Sequence, residues 1–175
     1  MRKEIKKADS PIYSFPPFAD AKSKVLILGT MPGKESLRMN FYYAHPQNAF
    51  WKILFEVHKV PFSADNQDKI NLLLQNGIAI WDVLRICERK SSLDNDIKME
   101  EPNDLHAFLS THPGISKIFL NGKGAARYFN KYFADISLPI QVLPSTSPAH
   151  AVKWEQKLAI WQAIKPPDIN NAGIL

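Results

Sequence analysis

The chain has very little cysteine and no long apolar run. Its 175 residues include one cysteine, Cys87, which excludes an intrachain disulfide framework and a metal or iron–sulfur site built on several thiolates. No apolar stretch approaches the length that crosses a bilayer. The charged N-terminal segment is not followed by the apolar core of a secretion signal. We therefore expect a cytoplasmic protein that has no membrane partner.

Acidic residues are outnumbered by basic ones. Lysine and arginine total 22 against 17 aspartate and glutamate, for a formal net charge of +5. This excess favours a polyanionic partner such as nucleic acid, although many soluble proteins are mildly basic. In NGKGAARYFNKYF, Lys123, Arg127 and Lys131 fall on one face of a predicted helix. That face is either simply solvated or a contact surface for phosphates.

Four short apolar runs alternate with helical patterns and predict the fold. The runs occupy residues 25–28, 78–81, 118–120 and 140–143. The pattern predicts helices over residues 48–58, 67–75, 104–110 (with Asn103 as its cap), 123–133 and 150–164. Buried strands that alternate with helices predict an α/β three-layer sandwich, in which a central four-stranded parallel sheet is flanked by helices. We expect one domain over residues 1–175, with a core of about 14–164 and terminal extensions up to Ala21 and from Lys165.

Ligands of such sheets bind beyond the carboxyl ends of the strands, which directs attention to four stretches. These stretches are GTMPG (29–33), DVLRICERK (82–90), NGKG (121–124) and PSTSPAH (144–150). The glycines of GTMPG permit a close approach or serve only a turn, and the stretch lacks the spacing of a phosphate loop. The hydroxyls of PSTSPAH, ahead of a predicted helix, suit a phosphate. Alternatively, Ser147 simply caps that helix, with Pro148 in its first turn.

The stretch YYAHPQNAFW (42–51) contains more chemistry than a core helix requires. Pro46 is predicted in the first helical turn, and Phe50 and Trp51 face the core. The two tyrosines (Tyr42 and Tyr43), His45 and Asn48 are not explained in this way. Flat rings and an amide suggest a pocket for a flat polar ligand. The acidic segment 92–105 is predicted as a surface loop that borders the site and holds no metal.

GTMPG, YYAHPQNAFW and LPSTSPAHA, in this order, resemble the motifs of the uracil-DNA glycosylase superfamily, most of all its hypoxanthine-DNA (deoxyinosine) glycosylase branch. The resemblance covers residues 14–164. It implies a monofunctional hydrolase of base excision repair that flips a base out of DNA and cleaves the N-glycosidic bond. It further implies no metal and no cofactor, a monomer, and DNA containing deaminated bases as the partner. Hypoxanthine is the first candidate base and uracil the second.

The resemblance also implies site residues. GTMPG contributes Gly29, Thr30 and Met31 to the base pocket, and Met31 stands where relatives hold an aspartate or asparagine that handles the water. The essential amide is then Asn48, and Tyr43 is the ring that stacks on the extruded base. His45 also belongs to the pocket, together with Trp81 or Asp82, which stand where uracil-specific relatives keep an asparagine. The implied DNA-binding residues are Asn121, Lys123, Ser145, Thr146, Ser147 and His150.

Three alternatives remain. One is a mismatch-type uracil glycosylase. The second is a non-catalytic nucleic-acid-binding module on the same fold, in which Met31 marks lost chemistry. The third is a hydrolase of free nucleosides, whose activity would be indifferent to salt, whereas DNA binding weakens steeply as salt rises.

Overall fold

The structure, a computed structural model, describes residues 10–165. Its strands are β1 (Ile12–Tyr13), β2 (Val25–Gly29), β3 (Ile78–Asp82), β4 (Leu84–Glu88), β5 (Lys98–Pro102), β6 (Lys117–Asn121) and β7 (Ile140–Leu143). Its helices are α1 (Lys34–Met39), α2 (Phe50–Val57), α3 (Asn66–Gln75), α4 (Leu105–Thr111), α5 (Lys123–Tyr132) and α6 (Trp154–Trp161). Two 3₁₀ turns, Asp94–Asp96 and Gln162–Ile164, complete the described elements.

The predicted four-stranded parallel sheet is confirmed, with strand order β3-β2-β6-β7. The central strand β2 explains why the apolar runs do not alternate with polar residues. Leu26 and Leu28 pack into one hydrophobic cluster, while Ile27 between them packs into the cluster on the opposite face. All three side chains are fully buried. A parallel sheet covered on both faces requires such continuous apolar strands, and the α/β fold follows.

A second, antiparallel sheet in the order β1-β4-β5 was not predicted. Its strand β4 follows β3 after Val83 alone and lies in the stretch DVLRICERK, for which no strand was predicted. Strand β5 lies in the acidic segment, and its sequence KMEEP has no fully buried position. Strands that bury so little carry no apolar alternation by which a sequence could reveal them.

The prediction that residues before Ala21 form an extension was wrong for residues 12–18. Strand β1 pairs with β4. Phe18 exchanges two backbone hydrogen bonds with Ile80 on the edge of β3, at 2.9 and 3.1 Å. Phe15 and Phe18 also pack against the core cluster. The first nine residues, and the predicted tail after Lys165, lie outside the described residues.

Helix α3 begins one residue earlier than predicted, at Asn66, and three other helix starts differ from prediction for a local reason. Helix α4 is capped by Asp104, whose carboxylate accepts from the Ala107 N–H at 3.0 Å. The amide of Asn103 instead donates to the backbone carbonyls of Asp82 and Leu84. Helix α2 begins at Phe50, so Pro46 and Asn48 precede it.

Helix α6 begins at Trp154 with Lys153 as its N-cap, not at residue 150. The Ser147 hydroxyl accepts from the Ala149 N–H at 3.3 Å, which closes a local turn rather than capping the helix. The PSTSPAH loop therefore does not stand at a helix N-terminus. The dipole argument for phosphate binding at this loop was wrong.

The longest helices of residues 10–165 have ten residues each. In this part of the chain no helix has the length and apolar character that a membrane crossing needs.

Candidate active site

A cavity of about 970 Å³ opens at the carboxyl ends of the parallel strands. This is where the sheet topology predicts a ligand. The cavity brings together all the predicted site residues except Trp81: Gly29, Thr30, Met31, Tyr43, His45, Asn48, Asp82, Asn121, Lys123, Ser145, Thr146, Ser147 and His150. The acidic segment also borders the cavity as predicted, through Ser92, Leu93 and Asp94.

Trp81 lies outside the cavity lining. Its indole N–H donates to the Phe15 carbonyl at 3.0 Å, and its ring packs against Phe108 with centroids 5.1 Å apart. Successive side chains of a strand point to opposite faces, so when Trp81 is directed away, Asp82 is directed towards the cavity. Of the two neighbours left open by the sequence, the structure places Asp82 at the cavity.

Asn48 lies at the cavity in a short turn that precedes α2. Its backbone N–H donates to the His45 carbonyl at 2.8 Å. Its side-chain carbonyl oxygen accepts from the Phe50 N–H at 3.0 Å. The next residue, Ala49, donates to the Thr146 carbonyl at 3.0 Å, which ties this turn to the PSTSPAH loop. The Asn48 amide is thus held in one orientation, with a second lone pair on its oxygen.

Tyr43 presents a ring that is supported from behind. Its ring stacks on the fully buried Phe50 with centroids 3.8 Å apart and 18° between the planes. Its backbone φ of 53° lies in the left-handed region, which non-glycine residues adopt only where the surroundings hold them there. Burial raises the pKa of the Tyr43 hydroxyl, so it stays neutral.

Asp82 contributes a buried carboxyl group to the lining of the cavity. Its residue exposure is 3%, and its Oδ2 atom finds no hydrogen-bond partner within residues 10–165. Burial raises the pKa of this carboxyl to about 8, with the Arg89 guanidinium opposing the shift and the Asp94 carboxylate adding to it. At neutral pH the Asp82 side chain is therefore mainly protonated. The sequence placed Asp82 at the pocket, but no spacing indicates its protonation.

Two residues that shape the site, Arg89 and Asp94, were not among the site residues predicted from the sequence. Arg89 is 5% exposed, and its guanidinium donates to the Pro32 carbonyl in the GTMPG turn. The Asp94 carboxylate accepts from the Thr30 hydroxyl at 2.8 Å. The two contacts fix the GTMPG turn. A buried arginine beside an acidic segment could have been suspected, but nothing in the sequence indicates which loop it supports.

Asn121 and Thr146 hold each other across the end of the sheet. The Asn121 amide donates to the Thr146 hydroxyl at 2.9 Å, and the Thr146 N–H donates to the Asn121 carbonyl oxygen at 3.0 Å. Both residues are buried. The loop is anchored a second time by Trp161, whose indole N–H donates to the Pro144 carbonyl at 2.9 Å. Through these contacts, Asn121 and Thr146 hold the PSTSPAH loop in place.

The protonated state of Asp82 predicts an unusual dependence of stability on pH. In the unfolded chain an aspartate ionises near pH 4, whereas in the folded protein Asp82 keeps its proton up to about pH 8. The folded state binds more protons across this window, so Asp82 reduces the free energy of unfolding as the pH rises through it. Asp82→Asn removes this loss of unfolding free energy, because an amide does not titrate. Since each pKa unit corresponds to about 1.4 kcal/mol, we expect the variant to gain a few kcal/mol over the wild type at pH 8.

Urea denaturation of both proteins at pH 5 and pH 8 measures this difference. The advantage of Asp82→Asn should be small at pH 5 and large at pH 8. Parallel behaviour of the two proteins over this range would contradict a buried, protonated Asp82.

The fold and the cavity define an α/β protein with a large cavity at the carboxyl edge of a parallel sheet. The family model described as the uracil DNA glycosylase superfamily matches residues 16–165. The chain belongs to this superfamily. It is a DNA glycosylase, a hydrolase that acts on N-glycosidic bonds.

Individual relatives agree with this assignment. A protein of Methanosarcina acetivorans named hypoxanthine DNA glycosylase is 31% identical over 153 residues, which span 86% of this chain and 95% of the relative. A protein of Methanosarcina barkeri with the same name is 35% identical over 115 residues, covering 65% and 73% of the two chains. The solution NMR structure of a Methanosarcina acetivorans protein, described as a candidate uracil DNA glycosylase, superimposes with a TM-score of 0.78 at 29% identity. That match covers 88% of this chain and 96% of the other.

Proposed function

We propose that this glycosylase removes deaminated bases from DNA, with hypoxanthine as its main substrate and uracil as a second one. The observation that carries the proposal is the oriented Asn48 amide, which shares one cavity with the stacking ring Tyr43 and the buried carboxyl Asp82. At the end of the first parallel strand, Met31 supplies no polar group. The two Methanosarcina relatives named hypoxanthine DNA glycosylase support the choice of base.

Base binding comes first in the proposed mechanism. The damaged nucleotide leaves the duplex and its base enters the cavity, which costs a few kcal/mol of unstacking and unpairing. Stacking on an aromatic ring returns about 1–3 kcal/mol. Tyr43 supplies that ring, because Phe50 supports one of its faces and the residue lines the cavity.

Hydrolysis then breaks the bond between C1′ of the sugar and the ring nitrogen of the base. Both electrons of that bond pass to the base, and the sugar acquires oxocarbenium character. A water molecule held by the Asn48 carbonyl oxygen adds to C1′, loses one proton to solvent and completes the abasic sugar. The base takes up a proton in turn. Because the departing base does most of the bond breaking, a neutral amide that only positions the water is sufficient.

Phosphate contacts at the rim of the cavity complete the proposal. Lys123 is exposed, and Ser145, Ser147 and His150 are partly exposed, so these side chains can reach the backbone around the extruded nucleotide. Asn121 and Thr146 contribute by holding the loop in place. The net charge of +5 favours the same polyanion. We expect a monomer that works in the cytoplasm with access to the chromosome.

A panel of labelled duplexes tests the proposed function. Each duplex carries hypoxanthine, uracil or xanthine at one position, and an undamaged duplex serves as the control. After incubation and alkali treatment we expect scission at the damaged position, fastest with hypoxanthine. Binding should weaken as salt rises, because each neutralised phosphate contributes about −0.9 to the slope of log affinity against log salt.

Different outcomes of the panel separate the alternatives. Absence of scission on every duplex would refute the proposed function. Tight binding to damaged DNA without base release would indicate the non-catalytic module that Met31 allows. In a separate incubation with free inosine, cleavage that does not respond to salt would indicate a nucleoside hydrolase.

A further inference from the structure

Two buried polar groups of the cavity residues, on Asp82 and Tyr43, have no hydrogen-bond partner among the described residues. The Asp82 Oδ2 atom and the Tyr43 hydroxyl are both buried and make no hydrogen bond to any part of the chain that the structure describes. The other carboxyl oxygen of Asp82, Oδ1, and the Tyr43 hydroxyl lie 2.5 and 2.9 Å from the point where a Cβ on Gly29 would stand. Buried polar groups are almost always satisfied, so groups left without a partner at the base of a cavity indicate a ligand.

We propose that Asp82, as a neutral carboxylic acid, donates a hydrogen bond to the O6 and N7 edge of the leaving hypoxanthine. The inference rests on the proposed function and adds to it a second group that acts on the substrate. Asn48 positions the water beside C1′ of the sugar, whereas Asp82 donates a hydrogen bond to the nucleobase.

The chemistry of the leaving base requires a donor at this place. A 6-oxopurine carries two acceptors, O6 and N7, side by side on one edge. Adenine has an amino group in place of O6, so its edge offers one acceptor fewer. As the C1′–N bond breaks, the base gains negative charge that spreads over these acceptors. A donor that already points at the developing charge stabilises the transition state more than the ground state. An ionised carboxylate would repel the same charge.

The surroundings of Asp82 favour the neutral acid. Burial is the largest cause of its raised pKa, and the Asp94 carboxylate adds to the effect. The Arg89 guanidinium acts in the opposite direction. The other titratable groups near it are the hydroxyls of Tyr42 and Tyr43, whose own pKa values are raised by burial and by Asp82. The remaining titratable side chains of the cavity are Lys34, Glu35, His45, Lys123 and His150.

A pH profile of base release tests the inference. Single-turnover excision from a hypoxanthine duplex is measured between pH 6 and pH 10 for the wild type, Asp82→Asn and Asp82→Ala. The wild-type rate should fall above about pH 8, where Asp82 loses its proton. Asp82→Asn keeps a donor that does not titrate, so the pH profile of its rate should lose this alkaline decline. Asp82→Ala should lose about 10²–10³-fold, the usual effect of removing one such donor.

The comparison between the two variants separates donation from a structural role, since both remove the buried acid. An alkaline decline that persists in Asp82→Asn, or wild-type rates in Asp82→Ala, would overturn the inference. A ¹³C titration of the aspartate carboxyl groups in the free wild type gives an independent measurement, and ionisation of Asp82 below pH 6 would also overturn it. If the wild type released no base from any duplex, the proposed function would fail. If the wild type were active and the Asp82 variants resembled it, only the present inference would fail.

Discussion

Asn48→Ala is expected to reduce the single-turnover rate of base release by about a hundredfold or more, the order of loss that follows when a reacting molecule is no longer held in position. DNA affinity should change little, because the amide lies inside the cavity and not among the phosphate-facing residues at its rim. The variant also removes the acceptor of the Phe50 N–H, so a loss of about 1 kcal/mol in the free energy of unfolding is expected. This small loss leaves the protein folded and the kinetic result interpretable.

Two further variants distinguish catalysis from the local turn. Asn48→Asp retains an oxygen that accepts from the Phe50 N–H and can still hold the water, so it should retain most of the activity. Gln47→Ala alters the exposed neighbour, which is not part of the cavity lining, and should behave as the wild type. Single-turnover kinetics with a hypoxanthine duplex, together with a fluorescence binding titration, measure both quantities. Normal base release by Asn48→Ala would show that another group handles the water.

The parallel sheet could be predicted because its physics is local and repetitive. Each of the four strands is a short apolar run, and burial on both faces demands such a run wherever helices cover the sheet. The rule that ligands bind at the carboxyl ends of the strands then led to the cavity without any knowledge of side-chain positions. The antiparallel sheet was missed because β5 buries almost nothing, and pairing of β1 with β4 joins segments that are distant in the chain.

The composition of the site was predictable to a smaller extent. Motif order brought Tyr43, Asn48 and Asp82 into one pocket, and the structure places all three at the cavity. Their roles remain predictions. The sequence could not show that Asn121 and Thr146 form hydrogen bonds with each other, because such contacts depend on the distance between two loops. Nor could it show a protonated Asp82, since a pKa depends on burial and on charges contributed by other elements.

Gly29→Ala is expected to damage both the stability of the protein and its base release. A Cβ at this position would lie 2.5 Å from an Asp82 carboxyl oxygen and 2.9 Å from the Tyr43 hydroxyl. Neither group can easily move, because Asp82 is buried and Tyr43 is stacked on Phe50. Overpacking of this kind typically costs about 1–3 kcal/mol of stability. The methyl group would also occupy the space in which the edge of the base meets Asp82, so base release should fall at least about a hundredfold.

Gly33→Ala is the matched control, since Gly33 is the second glycine of the same GTMPG turn. A Cβ there would meet Ser92 at 3.6 Å, which is ordinary van der Waals contact, and the Gly33 backbone φ of −71° suits any residue. Its stability should stay within about 0.5 kcal/mol of the wild type, with nearly unchanged base release. Thermal unfolding and single-turnover excision of both variants measure the contrast. Equal activity of the two variants would mean that the base does not approach Gly29, and the placement of the leaving base beside Asp82 would be wrong. A selective loss in Gly29→Ala would instead indicate that the first glycine of GTMPG serves the ligand as well as the turn.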